Sequence, residues 1–594
     1  MQNTHTPAPD HPRRIVVVGG VAGGMSAAAR ARRLDERAEI TVLEAGEHVS
    51  SAGCGLPYAL AGEIAERDSL LLHTPVSLRA ALALDVRTGH RVTAIDRTAR
   101  TVTVATPDGV THLPYDALLL APGAVAARPP VPGLDHPAVR TLRSIADLDA
   151  IAARLAALPA GDVDAPRARA VVVGAGFIGL EAVEALVARG LIVDLVETAD
   201  HVLPPLTPEL ASLLAAELRT HGVRLHVGTA VTAVTDHDPT HPGRAARLTL
   251  ADGTELTADV VVLATGVRPA SELARDAGLD LGPTGAIRVD ADQRTSDPNI
   301  WAVGDAVEVT LAVTGQRAPV PLAGPANRQG RRAAESILGR RTTPQAPVLG
   351  TAIVRVFGLT AAVTGASPGT LERAGIAHEV VRTHAAQHAG WFPGAEQVHV
   401  VAAFAPDGRL LGAQAVGRDG VDKRVDVLAT ALRASLTADD LAELELAYAP
   451  PFGAAKDPVN MLGFVAQNAL DGTMPQWHPT EVDDVAATHL VLDVRSRGEF
   501  ACGHLTGSLN VPHTELRGRL DEVRAAADDR PVAVLCASGV RSHIATRVLL
   551  AHGFDARNLS GGWLSLTALR PDLARVPDAE RSPDAAASPE PART

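Results

Sequence analysis

Arg14-Ile15-Val16-Val17-Val18-Gly19-Gly20-Val21-Ala22-Gly23-Gly24 is the stretch on which the reading of this chain turns. Its unbroken β-branched run predicts a short buried strand. The glycines predict a tight turn, and Met25 to Leu34, rich in Ala and Arg, a helix. Strand, glycine turn and helix together place a pyrophosphate on a helix N-terminus. Val21 stands where the plain Gly-x-Gly-x-x-Gly pattern has its second glycine. Ile40-Thr41-Val42-Leu43-Glu44 reads as a second strand ending in an acid twenty residues after Gly24. That acid is where a ribose hydroxyl would be held. Gly19, Val21, Gly24 and Glu44 are therefore candidate dinucleotide contacts.

A second unit follows. Ala170 to Gly179 ends in a full pattern at Gly174, Gly176 and Gly179, with a helix through Glu181 and Glu184 to Gly190 and a strand from Leu191 to Val196 ending at Glu197. Two such units imply two dinucleotides, most simply FAD and a nicotinamide. Glu197 would bond a 2′-hydroxyl and repel a 2′-phosphate, which favours NADH while leaving NADPH open. Val260 to Pro269 and Asn299 to Ala306 read as later strands of the flavin half. Asp305, just past Gly304, could accept hydrogen bonds from a ribityl chain; taken alone it reads as readily as a helix cap.

Between the two units lies Ser50-Ser51-Ala52-Gly53-Cys54-Gly55-Leu56-Pro57-Tyr58, one of only three cysteines in 594 residues set between glycines. Glycines allow a flat ring close to the sulfur, although a small buried cysteine in a turn is the commoner meaning of such a residue. With no second cysteine nearby, the oxidised state must be a mixed disulfide, a persulfide or a sulfenic acid. Nearby positive charge or backbone N–H groups would favour its thiolate.

Composition bounds the rest. The length suggests three to five domains. A net charge of −13 argues against nucleic acid. No long apolar run predicts a membrane span, and Met1 to Pro12 lacks the apolar core of a secretory signal. Three scattered cysteines fit a reducing cytoplasm, and no metal site is expected.

The C-terminal part restarts with His489 to Arg495, Gly498-Glu499-Phe500 and Gly503-His504, then Pro531 to Leu535 running into Cys536-Ala537-Ser538-Gly539-Val540-Arg541-Ser542 and a helix. A cysteine at a strand-to-helix turn meets successive backbone N–H groups, which stabilise a thiolate or a persulfide; a buried structural thiol is the alternative. Cys502 is expected to be a partly exposed bystander.

These motifs, with Leu322 to Gly330 and Tyr448 to Pro458, resemble the pyridine nucleotide–disulfide oxidoreductase family, and within it the coenzyme A-disulfide reductase branch. Asp493-Val494-Arg495, the Cys536 loop and Leu559 to Trp563 resemble the rhodanese family. The spacing from Cys536 to Arg541 is one residue shorter than cysteine phosphatases need. The resemblance implies two Rossmann-like α/β domains, an α+β dimerisation domain and a C-terminal α/β rhodanese domain. The expected bounds are 12–122 with 256–336 for FAD, 123–255 for NAD(P), 337–475 for the dimer half and 476–573 for rhodanese, with 1–11 and 574–594 disordered. Thr351–Phe357 and Val398–Phe404 are expected strands and Val421–Ala434 a helix; Leu158–Arg167 and Thr235–Gly243 are expected surface insertions.

By the same resemblance Ser26, Arg30, Arg33, Ser50, Asn327 and Lys456 match coenzyme A-contacting positions, the two arginines meeting its phosphates. From sequence alone, those arginines read almost as well as a solvated helix face. Tyr448 would reach across a homodimer to protonate or hold a thiolate, or simply pack at the interface. The chain departs from the family at Gly53, where Asn is frequent, and at Trp391-Phe392-Pro393, where Tyr-Tyr-Pro is. Ala22 stands where related NADH oxidases and peroxidases carry a histidine, which favours a sulfur substrate. The expectation is a cytoplasmic, homodimeric, FAD-dependent NAD(P)H reductase of coenzyme A disulfide, coenzyme A persulfide or polysulfide, with Cys54, Tyr448, Cys536 and Arg541 catalytic. An NADH oxidase or peroxidase, and a flavin-based redox sensor with a docking rhodanese module, are the alternatives.

Overall fold

Five parallel strands build the first sheet, in the order Ile300–Ala302, Ala117–Leu120, Arg14–Val18, Glu39–Leu43 and Asp85–Arg87. The computed structural model describes residues 11–158, 167–241, 243–340 and 342–574. The central strands are buried, as β-branched runs covered on both faces must be. Helix Ala22–Leu34 begins three residues before the expected Met25. It lies against Ala323–Ile337. The approach is close: a Cβ at Gly330 would come within 2.2 Å of the Gly23 carbonyl oxygen.

A second parallel sheet follows the same plan, in the order Arg224–Val227, Ile192–Glu197, Arg169–Val173, Val260–Leu263 and Val139–Arg140. Here one expectation is corrected. Val260–Leu263 belongs to this sheet, paired with Arg169–Val173, and not to the flavin half. An apolar run suits either sheet equally, so only the pairing decides. The chain enters and leaves this unit through the antiparallel pair Ala124–Ala126 and Val267–Pro269, so the boundary expected at 255 falls beyond Leu263.

These sheets form one compact unit, through Pro204 and again from Glu217 to Phe357. The other unit comprises Pro205–Ala216 and the chain from Gly358 onward. It holds an antiparallel sheet of Leu359–Gly365, Leu410–Gly417, Gln397–Phe404 and Glu379–Ala386, with helix Val421–Arg433 against it. It also holds a parallel sheet ordered Gln476–Trp477, Ala556–Leu559, Val532–Leu535, Leu490–Asp493 and Leu509–Asn510. Leu490, Leu492, Val532 and Val534 face one apolar cluster, while Val491, Ala533 and Leu535 face another. Period-2 alternation thus gives this sheet a core on each side.

The expected insertion at Leu158–Arg167 lies, apart from its end residues, outside the described residues, as do 1–10 and the tail beyond Ala574. Of Thr235–Gly243, Thr235 and Asp236 still belong to strand Val231–Asp236. Among the described residues no helix is long and apolar enough to cross a membrane, and no cluster of ligands for a metal occurs.

Candidate functional site

The two glycine turns are close copies in geometry. Gly19 and Gly174 hold φ of +102° and +104°, and a Cβ there would lie 2.1 and 2.4 Å from the carbonyl oxygens of Ala121 and Ala264. A Cβ at Gly24 or Gly179 would lie 1.9 Å from the carbonyl of Gly19 or Gly174. Only glycine fits either place, so helix and strand meet backbone to backbone. At Gly176 a Cβ would meet nothing within 4 Å, and its counterpart Val21 is exposed. The steric demand for glycine at this second place is thus absent, which explains why Val21 is tolerated.

Both acids are held alike. Glu44 accepts from the Gly20 and Gly46 N–H groups at 2.8 and 2.7 Å. Glu197 accepts from Ala175 and Ala199 at 2.7 and 2.9 Å. Neither helix carries a side-chain cap or an acid in its first turn. Two N-termini left open to an anion, each beside an oriented carboxylate, fit a dinucleotide in each unit. Asp305 makes no capping hydrogen bond. It pairs instead with Arg143 at 3.1 Å, and burial pushes its carboxyl up against the lowering effect of that arginine.

Cys54 is exposed, in the turn Gly53–Gly55 that leads into helix Leu56–Ala61. Its two glycines differ: a Cβ at Gly55 would strike Leu70 at 2.3 Å, whereas one at Gly53 meets nothing within 4 Å. Ser50 sits at φ +52°, uncommon for a residue with a side chain. Its N–H donates to the Gly20 carbonyl at 2.8 Å, which ties the cysteine loop to the first glycine turn.

Two of the expected contact residues meet. Ser26 Oγ donates to Asn327 Oδ1 at 2.7 Å across the paired helices. Arg33 is exposed. Arg30 is engaged elsewhere, its guanidinium on Glu335 at 2.6 Å.

Sequence reading passed over one cluster beside Cys54. Tyr58 donates to Glu181 at 3.2 Å, which joins the cysteine helix to the second nucleotide helix. Burial, reinforced by Glu181, pushes the Tyr58 phenol up to about 12, and burial raises Glu181. Arg355 covers the Tyr58 ring at 5.3 Å and pairs with Glu184 at 2.8 Å and with Glu63. The signal was a helical phenol four residues after Cys54, but its partner is more than a hundred residues away.

In the other unit Tyr448, Phe452 and Lys456 are exposed on one loop. The loop ends at Asp457, a buried carboxylate that pairs with buried Arg424 at 2.8 Å and caps helix Pro458–Leu470. Arg424 also donates to the Gln387 carbonyl.

Cys536 directly follows strand Val532–Leu535 and is 1% exposed. The N–H of Gly539 and the hydroxyl of Ser542 both donate to its sulfur at 3.2 Å. The expected run of backbone N–H groups is therefore one N–H plus a serine hydroxyl, because helix Val540–Ala551 starts at once and turns Ser542 inward. Arg541 binds both oxygens of Glu499 at 2.8 and 2.6 Å, and that contact, with help from the capping Ser496, brings Glu499 down to about 2. Cys502 is exposed, as expected.

Comparison with known proteins agrees with this architecture. Residues 13–329 match the pyridine nucleotide-disulphide oxidoreductase family, 351–458 its dimerisation domain, and 475–568 the rhodanese-like domain. A coenzyme A disulfide reductase of Staphylococcus haemolyticus is 35% identical over 460 residues, 77% of this chain and 100% of that protein. Reduced Bacillus anthracis CoADR-RHD superposes with a TM-score of 0.90 at 41% identity, over 95% of this chain and 99% of its own. An NAD-dependent persulfide reductase from A. fulgidus does so with a TM-score of 0.86 at 39% identity, over 93% and 99%. The chain belongs to the pyridine nucleotide-disulfide oxidoreductase family, as an oxidoreductase that carries the family's dimerisation domain and a C-terminal rhodanese domain.

Proposed function

We propose that the protein is a homodimeric, FAD-containing NAD(P)H reductase of coenzyme A disulfide, coenzyme A persulfide or polysulfide, working through one cysteine. The observation that carries this is Cys54: exposed, tied through Ser50 to the first glycine turn, and without another cysteine between Met1 and Ala501. No disulfide can close within that part of the chain, so sulfur must come from outside.

Gly19, Gly24 and Glu44, with Asp305, would hold FAD, and Gly174, Gly176, Gly179 and Glu197 the nicotinamide. A bound flavin supplies the means of turning a hydride into an electron pair for sulfur. The Cys54 thiolate attacks one sulfur of coenzyme A disulfide, the S–S bond breaks, and coenzyme A thiolate leaves. Ser26 and Asn327, already in contact, and exposed Arg33 would orient the coenzyme. Arg30 would join them by exchanging Glu335 for a phosphate. The partner's Tyr448 would protonate or hold the departing thiolate, and Lys456 would contact the coenzyme. Cys536 would accept sulfane sulfur for this chemistry.

The relatives' names, coenzyme A disulfide reductase and persulfide reductase, support the substrate class. The test is a steady-state screen of NADH and NADPH against coenzyme A disulfide, coenzyme A persulfide, polysulfide and oxygen. Turnover with the sulfur acceptors bears the reading out; consumption of oxygen without them replaces it with an oxidase.

A further inference from the structure

Gly539 and Ser542 supply one neutral hydrogen bond each to the Cys536 sulfur at 3.2 Å. Arg541 is a cation beside the sulfur, its guanidinium held protonated first by Glu499 and more weakly by Cys536. Glu499 holds that guanidinium with both carboxylate oxygens at 2.8 and 2.6 Å, the fork geometry of a strong ion pair. Glu499 is itself fixed from behind, since the Ser496 N–H and hydroxyl donate to it at 3.0 and 2.8 Å. The cradle therefore carries a cation already paired with a carboxylate.

From this pairing we propose that Glu499 sets the charge selectivity of Cys536, excluding dianionic sulfur donors such as thiosulfate and admitting persulfides. This rests on the sulfur-handling role proposed above and deepens it. The admitted step is attack of the Cys536 thiolate on the outer sulfur of R–S–SH. The donor's S–S bond breaks as the new Cys536 S–S bond forms, RS⁻ leaves, and Cys536 becomes a persulfide; the electron count is unchanged. Thiosulfate would undergo the same step with sulfite leaving, but its two charges would face a thiolate and an arginine spoken for by a carboxylate. Neutral hydrogen bonds do not replace a missing countercharge at such a site.

The experiment follows single-turnover loading of Cys536 in the full-length flavoprotein by intact mass, with coenzyme A persulfide or thiosulfate as donor. Wild type, Glu499→Gln, Ser496→Ala and Cys536→Ser are compared. Wild type should load from the persulfide at least about tenfold faster than from thiosulfate, the worth of one charged hydrogen bond. Glu499→Gln should raise the thiosulfate-to-persulfide ratio by about tenfold or more. Ser496→Ala, which loosens the same helix cap without freeing Arg541, should leave the ratio near wild type. A ratio unmoved by Glu499→Gln, or moved as far by Ser496→Ala, overturns the assignment. Failure of the persulfide to load Cys536 in wild type overturns the sulfur-handling role and this selectivity with it.

Discussion

His384 and His399 face each other across antiparallel strands with their Nδ1 atoms 2.7 Å apart, and His384 Nε2 lies 2.9 Å from Ser565 Oγ. Ser565 sits on helix Gly562–Leu569, whose Trp563 N–H donates to the Cys536 carbonyl at 2.7 Å. The antiparallel sheet thus reaches the sulfur loop through two histidines. Both rings are held below the ordinary imidazole range, His384 at about 3, first by burial and then by His399 and Arg382.

The sign of the resulting pH dependence is fixed. Unfolded His384 takes up a proton near pH 6.5; folded, it stays neutral until about 3. Between those values the unfolded state binds more protons, so stability is full above about 6.5 and falls on acidification, by up to ~1.4 kcal/mol per pH unit for such a group. Thermal unfolding from about pH 7.5 to about 5 should show a shallower acid slope in His384→Gln than in wild type. Parallel slopes would remove the histidine pair as the cause.

Cys54→Ser should retain flavin yet lose NADH-dependent reduction of every sulfur acceptor, by at least about a thousandfold, as expected for loss of a nucleophile. Flavin absorbance on the purified variant, beside its steady-state rates, reads both halves of that statement. Comparable residual turnover with coenzyme A disulfide would place the chemistry elsewhere.

The glycine turns separate steric demand from pattern. Gly179→Ala places a methyl 1.9 Å from a carbonyl oxygen and should destabilise by about 1–3 kcal/mol. Gly176→Ala, with nothing within 4 Å, should fold normally. Any rise in its KM for NADH would then report ligand approach alone. Unfolding midpoints for the pair check this directly.

Glu197, anchored by two backbone N–H groups, should make NADH the better donor by about tenfold or more in kcat/KM. Glu197→Ala should narrow that gap. An NADPH preference in wild type would show that other residues govern the choice.

Arg424→Met leaves the buried Asp457 carboxylate with only the longer Lys423 contact at 3.8 Å and should cost about 3–5 kcal/mol. Because Asp457 ends the Tyr448 loop, dissociation of the proposed homodimer, measured by sedimentation, should rise alongside the fall in unfolding midpoint.

Local rules carried much of this architecture. Both glycine turns, their flanking strands and the acids Glu44 and Glu197 were legible because each depends on residues within about thirty positions of one another. The Cys536 loop was legible for the same reason. Val260–Leu263 was misplaced because an all-apolar strand carries no mark of the sheet that accepts it. Tyr58–Glu181 and Arg424–Asp457 escaped notice because their partners meet only after the chain has folded.

Residue order alone therefore determined which segments are strands, turns and helices around the two glycine-turn units, and which cysteines stand at turns. Tertiary structure alone decided which sheet Val260–Leu263 joins, that Arg30 is held by Glu335, and that Glu499 pairs with Arg541 beside Cys536. The physical reason is reach: backbone conformation and apolar pattern act over a few residues, whereas the partner of a charge is whichever group folding brings within hydrogen-bond distance.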